Sequence, residues 1–241
     1  MGGGPREFPQ TTWGLVSRLS AAHPERQAGL EALCRRYWRP IYGYVRRGWR
    51  KSNDEAKDLT QAFFLDLVEG HVLEKFRPEA GSFRAFLKGV LRNYVRNHEQ
   101  ALRRLKRGGG ARPLPLDEVF AGAADVLAAD GATPEEAFDH AWVDQLIEEA
   151  TERTRERLVA AGHELRFRAF EAYELAPAGS QPTYADVAAQ LGVKAGDVRN
   201  YLFAVREALR TEIRAALRET VATTAQLEAE WRELFTHSGG T

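Results

Sequence analysis

Apolar side chains recur along most of the chain at the spacing of amphipathic helices, three or four residues apart. In the first half, this pattern predicts helices over residues 12–23, 30–49 and 83–106. Pro40 marks a kink or a break in the second of these, because proline lacks the amide hydrogen that a helix interior uses. Residues 71–82 include a proline and a glycine and therefore predict a loop.

A capping box begins a further helix at Ser52, since Glu55 follows three residues later and each side chain can satisfy an amide of the first turn. The apolar stripe of this helix, which extends to residue 69, leaves Asp58, Gln61 and Leu65 on the outward side. Most charged helix faces are only solvated, so this face alone does not indicate a function.

The helix predicted over residues 83–106 is strongly basic on its polar side, where Arg84 is expected to point outward. From Arg84 to Arg107 the chain has eight basic residues and a single acid, Glu99. Cations bind phosphates, while amides and aromatic rings can bind exposed bases, so this side is a candidate surface for nucleic acid. A solvated basic helix is the alternative. The candidate residues are Arg92, Asn93, Tyr94, Arg96, Asn97, Arg103 and Arg104.

The composition changes after this basic helix. Residues 109–133 are rich in glycine, alanine, proline and aspartate, and they predict a flexible, acidic linker. Twelve acids and two arginines lie between Asp117 and Glu156. The zero net charge of the chain, with 34 basic and 34 acidic residues, is therefore an average over blocks of opposite sign.

The second half of the chain predicts helices over residues 134–161 and 163–175, followed by a short and a long helix. Thr183 caps the short helix, and Gly192 makes the turn into the long one, whose apolar stripe ends near residue 217. This layout is typical of a helix-turn-helix that binds duplex DNA, although a structural helical hairpin has the same outline.

The second helix of such a motif enters the major groove by its N-terminal half. The side chains placed there to reach bases or phosphates are Lys194, Asp197, Arg199, Asn200 and Phe203. Arg206 lies further along the helix and is expected to contact the DNA backbone. An amphipathic tail follows over residues 219–241 and either packs back on the protein or docks on a partner.

Composition narrows the class of protein further. The 241 residues include one cysteine, Cys34, which excludes an internal disulfide and a cysteine-rich metal site and favours the cytoplasm. No apolar run is long enough to span a membrane, and no carboxylate cluster, histidine pair or phosphate-binding glycine loop marks an enzyme such as a nuclease. We therefore expect a cytoplasmic all-α protein that is not an enzyme and needs no metal or cofactor.

The order and spacing of these motifs resemble a bacterial RNA polymerase sigma factor of the sigma-70 superfamily, of the two-domain extracytoplasmic-function type. The resemblance extends over residues 30–217. In the first domain it rests on Asp58-Leu59-Thr60-Gln61, on residues 83–87 and on Arg92-Asn93, and in the second on residues 184–191 and 198–210.

The resemblance implies a non-enzymatic initiation factor with two small helical domains. The implied division is a disordered tail (1–10), a domain for core polymerase and the promoter -10 strand (11–108), the linker (109–133), a domain for the -35 duplex (134–218) and the C-terminal tail (219–241). Core RNA polymerase would bind Asp58, Gln61 and Leu65, and promoter DNA would bind the two sets of residues given above. An anti-sigma factor is a further partner that the family implies.

One departure from the family pattern concerns Thr60. Lys57 and Ala62 stand where the family normally has glutamates, which weakens the negative face offered to the polymerase. Phosphorylation of Thr60 would add about 1.5 to 2 negative charges, so we hypothesise that a Ser/Thr kinase activates the factor there, as in the kinase-regulated branch of the family. Alternatively, Thr60 is a semi-buried helix residue and binding tolerates the missing acids.

The alternative function is that of a transcriptional regulator that binds duplex DNA through the helix-turn-helix and never joins the polymerase. Transcription with purified core polymerase separates the two functions, because only a sigma factor makes the core enzyme promoter-specific.

Overall fold

The computed structural model describes residues 24–49, 51–105, 132–177 and 179–235, and these residues form helices and no strand. Their α-helices are α1 (Arg26–Gly48), α2 (Asn53–Glu69), α3 (Phe83–Leu105), α4 (Pro134–Ala160), α5 (Glu164–Glu174), α6 (Tyr184–Leu191), α7 (Ala195–Arg218) and α8 (Thr224–Phe235). The all-α fold class is confirmed. Within the described ranges, no helix has both the length and the apolar character needed to cross a membrane.

Most predicted helices in the described residues form close to the expected positions. Helix α1 continues through Pro40 without a break, and the neighbouring side chains of Tyr37 and Ile41 are fully buried. The segment predicted as a loop contains two short 3-10 helices, Val72–Lys75 and Pro78–Ala80. The predictions for residues 1–10, 12–23 and 109–133, a tail, a helix and a linker, fall outside the described residues.

Two compact units divide the chain. The first unit comprises residues 1–145 and 217–241, and the second comprises residues 146–216. These divisions fall inside α4 and α7, whereas the domain boundaries predicted from the sequence are at residues 134 and 218. Helical periodicity shows that a long helix has a buried side, but it does not show which part of that helix packs on which neighbour.

The core of the first unit is aromatic. The ring of Tyr37 on α1 stacks on Trp142 of α4, with centroids 4.7 Å apart and planes inclined by 8°, and it meets the edge of Phe83 on α3 at 5.5 Å. All three residues are fully buried. Aromatic side chains bury about 150–250 Å² each, so this cluster joins three helices that are distant in sequence.

The second unit packs α5, α6 and α7 around Phe167, Val187, Val198 and Leu202, all buried. Its short helix α6 begins at a capping box. The hydroxyl of Thr183 accepts from the amide of Asp186 at 3.2 Å, and the carboxylate of Asp186 accepts from the amide of Thr183 at 2.8 Å.

Gly192 ends α6 in the left-handed conformation, with φ of 69°. A residue with a side chain adopts this conformation only with strain, which explains the glycine at the turn. The predicted sequence of short helix, glycine turn and long helix is therefore present in the second unit.

Candidate polymerase and nucleic-acid surfaces

The first candidate surface is the outward face of α2. The helix begins at the predicted capping box, in which the amide of Ser52 donates to Glu55 Oε2 at 2.9 Å and the Ser52 hydroxyl accepts from the amide of Glu55 at 3.3 Å. Asp58 is exposed, and Gln61 is half-buried. Leu65 is 52% exposed, as its position on the outward side of the helix predicts.

Thr60 lies on the opposite side of α2 from this face. Its side chain is fully buried, and its hydroxyl donates to the backbone carbonyl of Ala56 at 2.7 Å. A phosphate on this oxygen would lose that hydrogen bond and place a doubly charged group in an apolar core. Modification of Thr60 therefore requires α2 to open locally.

The second candidate surface is a groove along α3 with a volume of about 610 Å³. The predicted residues Asn93, Tyr94 and Asn97 line this groove. The Tyr94 ring meets the edge of Phe63 at a centroid distance of 5.2 Å and lies nearly parallel to the ring of His98 at 6.5 Å. These contacts fix the tyrosine ring at the groove wall.

Burial, with a smaller contribution from the charge of Asp66, raises the pKa of Tyr94 to about 12. The phenol is therefore protonated at neutral pH and can donate a hydrogen bond. Burial also lowers the pKa of His98, and the charge of Lys51 lowers it further, although Glu99 opposes this shift. His98 is neutral at neutral pH and presents an uncharged ring.

Three further polar residues of this groove were not predicted from the sequence: Asp66, Lys75 and His98. His98 lies one helical turn after Tyr94, so helical spacing could have identified it. Asp66 and Lys75 come from α2 and from the 3-10 helix that follows it, and no local pattern indicates that they meet α3.

The remaining predicted residues on α3 have different surroundings. Arg96 is exposed, and its guanidinium donates to the Asn93 side chain at 3.3 Å. Arg103 and Arg104 belong to α3, but their side chains are not among those described. Arg92 is exposed and donates from Nε and Nη2 to Glu135 Oε1 of α4, at 3.0 and 2.8 Å.

The expectation that Arg84 points outward is wrong, because its side chain has no exposed surface. Its Nε donates to Glu230 at 2.7 Å, its Nη2 pairs with Glu233 at 2.8 Å, and its Nη1 donates to Asp139. Burial alone lowers the pKa of Arg84, but the hydrogen bonds and charges of these carboxylates outweigh it and raise the pKa. The arginine is buried as a charged group because its partners come from α4 and α8.

Lys88 lies between Arg84 and Arg92 on α3 and binds Asp139 through Nζ at 2.9 Å. We refer to Arg84, Lys88 and Arg92 as the basic row, since they are four residues apart. The opposing carboxylates form the acidic row, which comprises Glu135, Asp139, Glu230 and Glu233.

The third candidate surface is the start of α7 in the second unit. Three of the predicted residues are exposed: Lys194, Arg199 and Asn200. The aromatic side chain of Phe203 is also 66% exposed and is not part of the core. Asp197 has a local role, because its carboxylate accepts from the amide of Lys194 at 3.2 Å.

Arg206, further along α7, donates from Nε to Glu174 of α5 at 3.0 Å. This ion pair ties α7 to α5 and neutralises the arginine in the absence of a ligand. In the described part of the chain, no three histidine, cysteine, aspartate or glutamate side chains form a set that could hold a metal ion.

Comparison with known proteins shows that the first two surfaces lie in a segment similar to one protein family. Residues 33–108 match the family model for sigma-70 region 2, whereas none of the curated proteins searched matches the chain. The matched residues make up a little under a third of the chain and include both the outward face of α2 and the groove on α3. The similarity to sigma-70 region 2 is therefore established for this segment of the chain.

Proposed function

We propose that this protein is a two-domain sigma factor of the extracytoplasmic-function type, which binds core RNA polymerase and directs promoter-specific transcription initiation. The observation that carries this proposal is the match of residues 33–108 to sigma-70 region 2. That match covers a helix face suited to a protein partner and a groove suited to nucleic acid, and both functions are needed for initiation.

The outward face of α2 is proposed to bind the polymerase. Leu65 exposes apolar surface to water. Burial of this surface by a partner would stabilise the complex by roughly 25 cal/mol for each Å² buried. The exposed carboxylate of Asp58 and the amide of Gln61 lie on the same helix and would orient a basic partner surface.

The groove on α3 is proposed to bind the melted -10 strand. Its volume of about 610 Å³ lies within the range of ligand-sized sites, so an unstacked base fits. Tyr94 and His98 offer ring faces, and stacking on such rings contributes about 1–3 kcal/mol per base. The side-chain amides of Asn93 and Asn97 can hydrogen-bond base edges, and Lys75 can bind a phosphate.

The second unit is proposed to bind the -35 duplex through α7. Arg199 and Asn200 carry the groups that pair with guanine and adenine edges in the major groove, and Lys194 can contact a phosphate. The exposed ring of Phe203 can pack against a thymine methyl group. Arg206 would bind DNA only if a phosphate replaced the Glu174 carboxylate as the partner of its guanidinium.

Run-off transcription with purified core polymerase tests this proposal directly. The full chain should make the core enzyme initiate at defined start sites, and Leu65→Glu should abolish both this activity and co-elution with core polymerase. Leu175→Glu is a matched control, because Leu175 is 59% exposed but lies in the second unit, outside the matched residues.

Two results would contradict the proposal. If Leu65→Glu and Leu175→Glu bind core polymerase equally well, the outward face of α2 is not the surface that binds the polymerase. A chain that binds duplex DNA but never associates with core polymerase would instead be the helix-turn-helix regulator.

Regulation by phosphorylation of Thr60 is the finer part of the proposal, and it carries a condition. Because the hydroxyl is buried, a kinase must act on α2 while the helix is open, either during synthesis or in a partly unfolded state. Thr60→Val keeps the shape of the side chain and cannot be phosphorylated. If the valine variant and the wild type, both purified from the native cell, bind core polymerase equally, Thr60 is not a switch.

A further inference from the structure

We propose that Asp66 makes the groove on α3 selective for bases that carry an exocyclic amino group, which are cytosine, adenine and guanine, over thymine. This role rests on the proposed binding of a single strand in the groove, and it concerns which bases of that strand the groove accepts. Neither the sequence pattern nor the family match assigns such a role to Asp66.

A carboxylate is an unexpected group in a groove for nucleic acid, because it repels the phosphates of the strand. Among the described residues that line the groove, Asp66 is the only acid and Lys75 is the only lysine or arginine. No described side chain forms an ion pair or a hydrogen bond with the Asp66 carboxylate. The groove therefore offers a strand one cation for a phosphate and one carboxylate, which needs a hydrogen-bond donor.

Asp66 lies on the last turn of α2. Its backbone carbonyl accepts from the amide of Gly70 at 2.8 Å, which holds its backbone in place at the end of the helix, while its side chain is exposed and lines the groove. Burial raises the pKa of Tyr94, and the negative charge of Asp66 raises it further. The carboxylate and the Tyr94 phenol are therefore neighbours on the groove wall, so a base stacked on Tyr94 would present its edge near Asp66.

Two neighbouring polar groups are suited to donate rather than accept. The side-chain oxygen of Asn93 accepts from Arg96 at 3.3 Å, which leaves the amide nitrogen of Asn93 to donate. The Tyr94 phenol is protonated at neutral pH and also donates. An ionised carboxylate only accepts, so Asp66 supplies the charged acceptor of the groove.

Amino groups distinguish the bases at such an acceptor. Cytosine N4 carries two hydrogens, and aspartate accepts from this group in protein–DNA complexes. Thymine and uracil have the oxygen O4 in the same place, which a carboxylate repels, and their N3–H lies between two carbonyl oxygens. The groove has a volume of about 610 Å³, which admits any of the bases, so the hydrogen bond rather than size would decide between them.

Asp66→Asn tests this role, with Asp54→Asn as the matched control. Both variants replace an exposed aspartate of α2 by an amide of nearly the same shape, but Asp54 lies in the first turn and does not line the groove. The measurement is the affinity of the full chain for labelled oligodeoxycytidine and oligodeoxyuridine of equal length near neutral pH, followed by fluorescence anisotropy. Uracil lacks the methyl group of thymine, so these two oligonucleotides differ only at ring atoms N3 and C4.

We expect the wild type to bind the cytidine oligonucleotide about 2- to 10-fold more tightly, the ratio that corresponds to one net hydrogen bond. Asp66→Asn should bring this ratio close to one, because an amide accepts from the cytosine amine and donates to uracil O4. It should also tighten binding of both oligonucleotides, since a charge that repels phosphate is removed. Asp54→Asn should keep the wild-type ratio, which separates base recognition from the general effect of charge.

Equal affinity of the wild type for the two oligonucleotides would overturn the role of Asp66. A preference that survives in Asp66→Asn, or one that Asp54→Asn loses to the same extent, would also overturn it, and so would a wild type that binds neither oligonucleotide. Run-off transcription decides the proposed function separately. A chain that initiates at defined start sites without a base preference fails only in the role of Asp66, whereas a chain with the preference but no initiation fails as a sigma factor.

Discussion

Replacement of Arg84 by methionine tests the buried ion cluster of the first unit. The substitution keeps an apolar stem of similar length but leaves Glu230, whose side chain is only 6% exposed, without its main counter-ion. Removal of one partner from a buried ion pair destabilises proteins by about 3–5 kcal/mol, because the remaining charge stays buried and unpaired. We expect a loss in this range, reduced to the extent that Ser82 still donates to Glu230.

Urea unfolding, followed by tryptophan fluorescence, measures this loss in the free energy of unfolding of the first unit. Four of the five tryptophans (Trp38, Trp49, Trp142 and Trp231) lie among the described residues of the first unit, and the sequence of the second unit, residues 146–216, contains none. This matters because the two units need not unfold together, and a signal averaged over both would not give a single free energy of unfolding.

The control for Arg84→Met is Arg96→Met, which removes an exposed arginine from the same helix and should change the free energy of unfolding by less than about 0.5 kcal/mol. The double variant Arg84→Met, Glu230→Met replaces both charges and should recover much of the lost stability. Equal stability of the two single variants, or a double variant no more stable than Arg84→Met, would refute the account of a paired, buried arginine.

Three further predictions concern stability. His98 has a pKa lowered by burial and by Lys51, so the unfolded state takes up a proton first as the pH falls through the ordinary value of 6.5. The first unit should therefore lose stability from neutral to mildly acidic pH, and His98→Gln should flatten this dependence in urea titrations at several pH values. Thr183→Ala removes the capping box of α6 and should cost about 0.5–2 kcal/mol, measured by hydrogen exchange of the α6 amides. Gly192→Ala should cost about 1–2 kcal/mol in the same experiment through backbone strain alone, because no neighbouring atom lies within 4 Å of the added methyl group.

Features that depend on neighbouring residues were predictable from the sequence. The capping boxes at Ser52 and Thr183 and the glycine turn at Gly192 are set by residues within three or four positions, and the structure contains all three. The exposed position of Leu65 also followed from helical periodicity, because the buried stripe of α2 determines which side remains outside.

Features that depend on residues distant in sequence were not predictable. The partners of Arg84 lie 55 and 146 residues further along the chain, so its sequence neighbourhood shows only a basic helix face. Periodicity locates a polar side but not the carboxylates that meet it, and for this reason Arg84 was expected in water. The contribution of Lys75 to the groove on α3 was missed for the same reason.

The distance in sequence between Arg84 and Glu230 also determines how long after Arg84 the ribosome adds Glu230. A ribosome adds about 5–20 residues per second, so the 146 residues between them take roughly 7 to 30 s to synthesise. Throughout this interval the arginine has been made and its principal carboxylate has not, whereas the second unit, residues 146–216, is complete before Glu230 exists. The unit that begins the chain is therefore the last to reach its final structure.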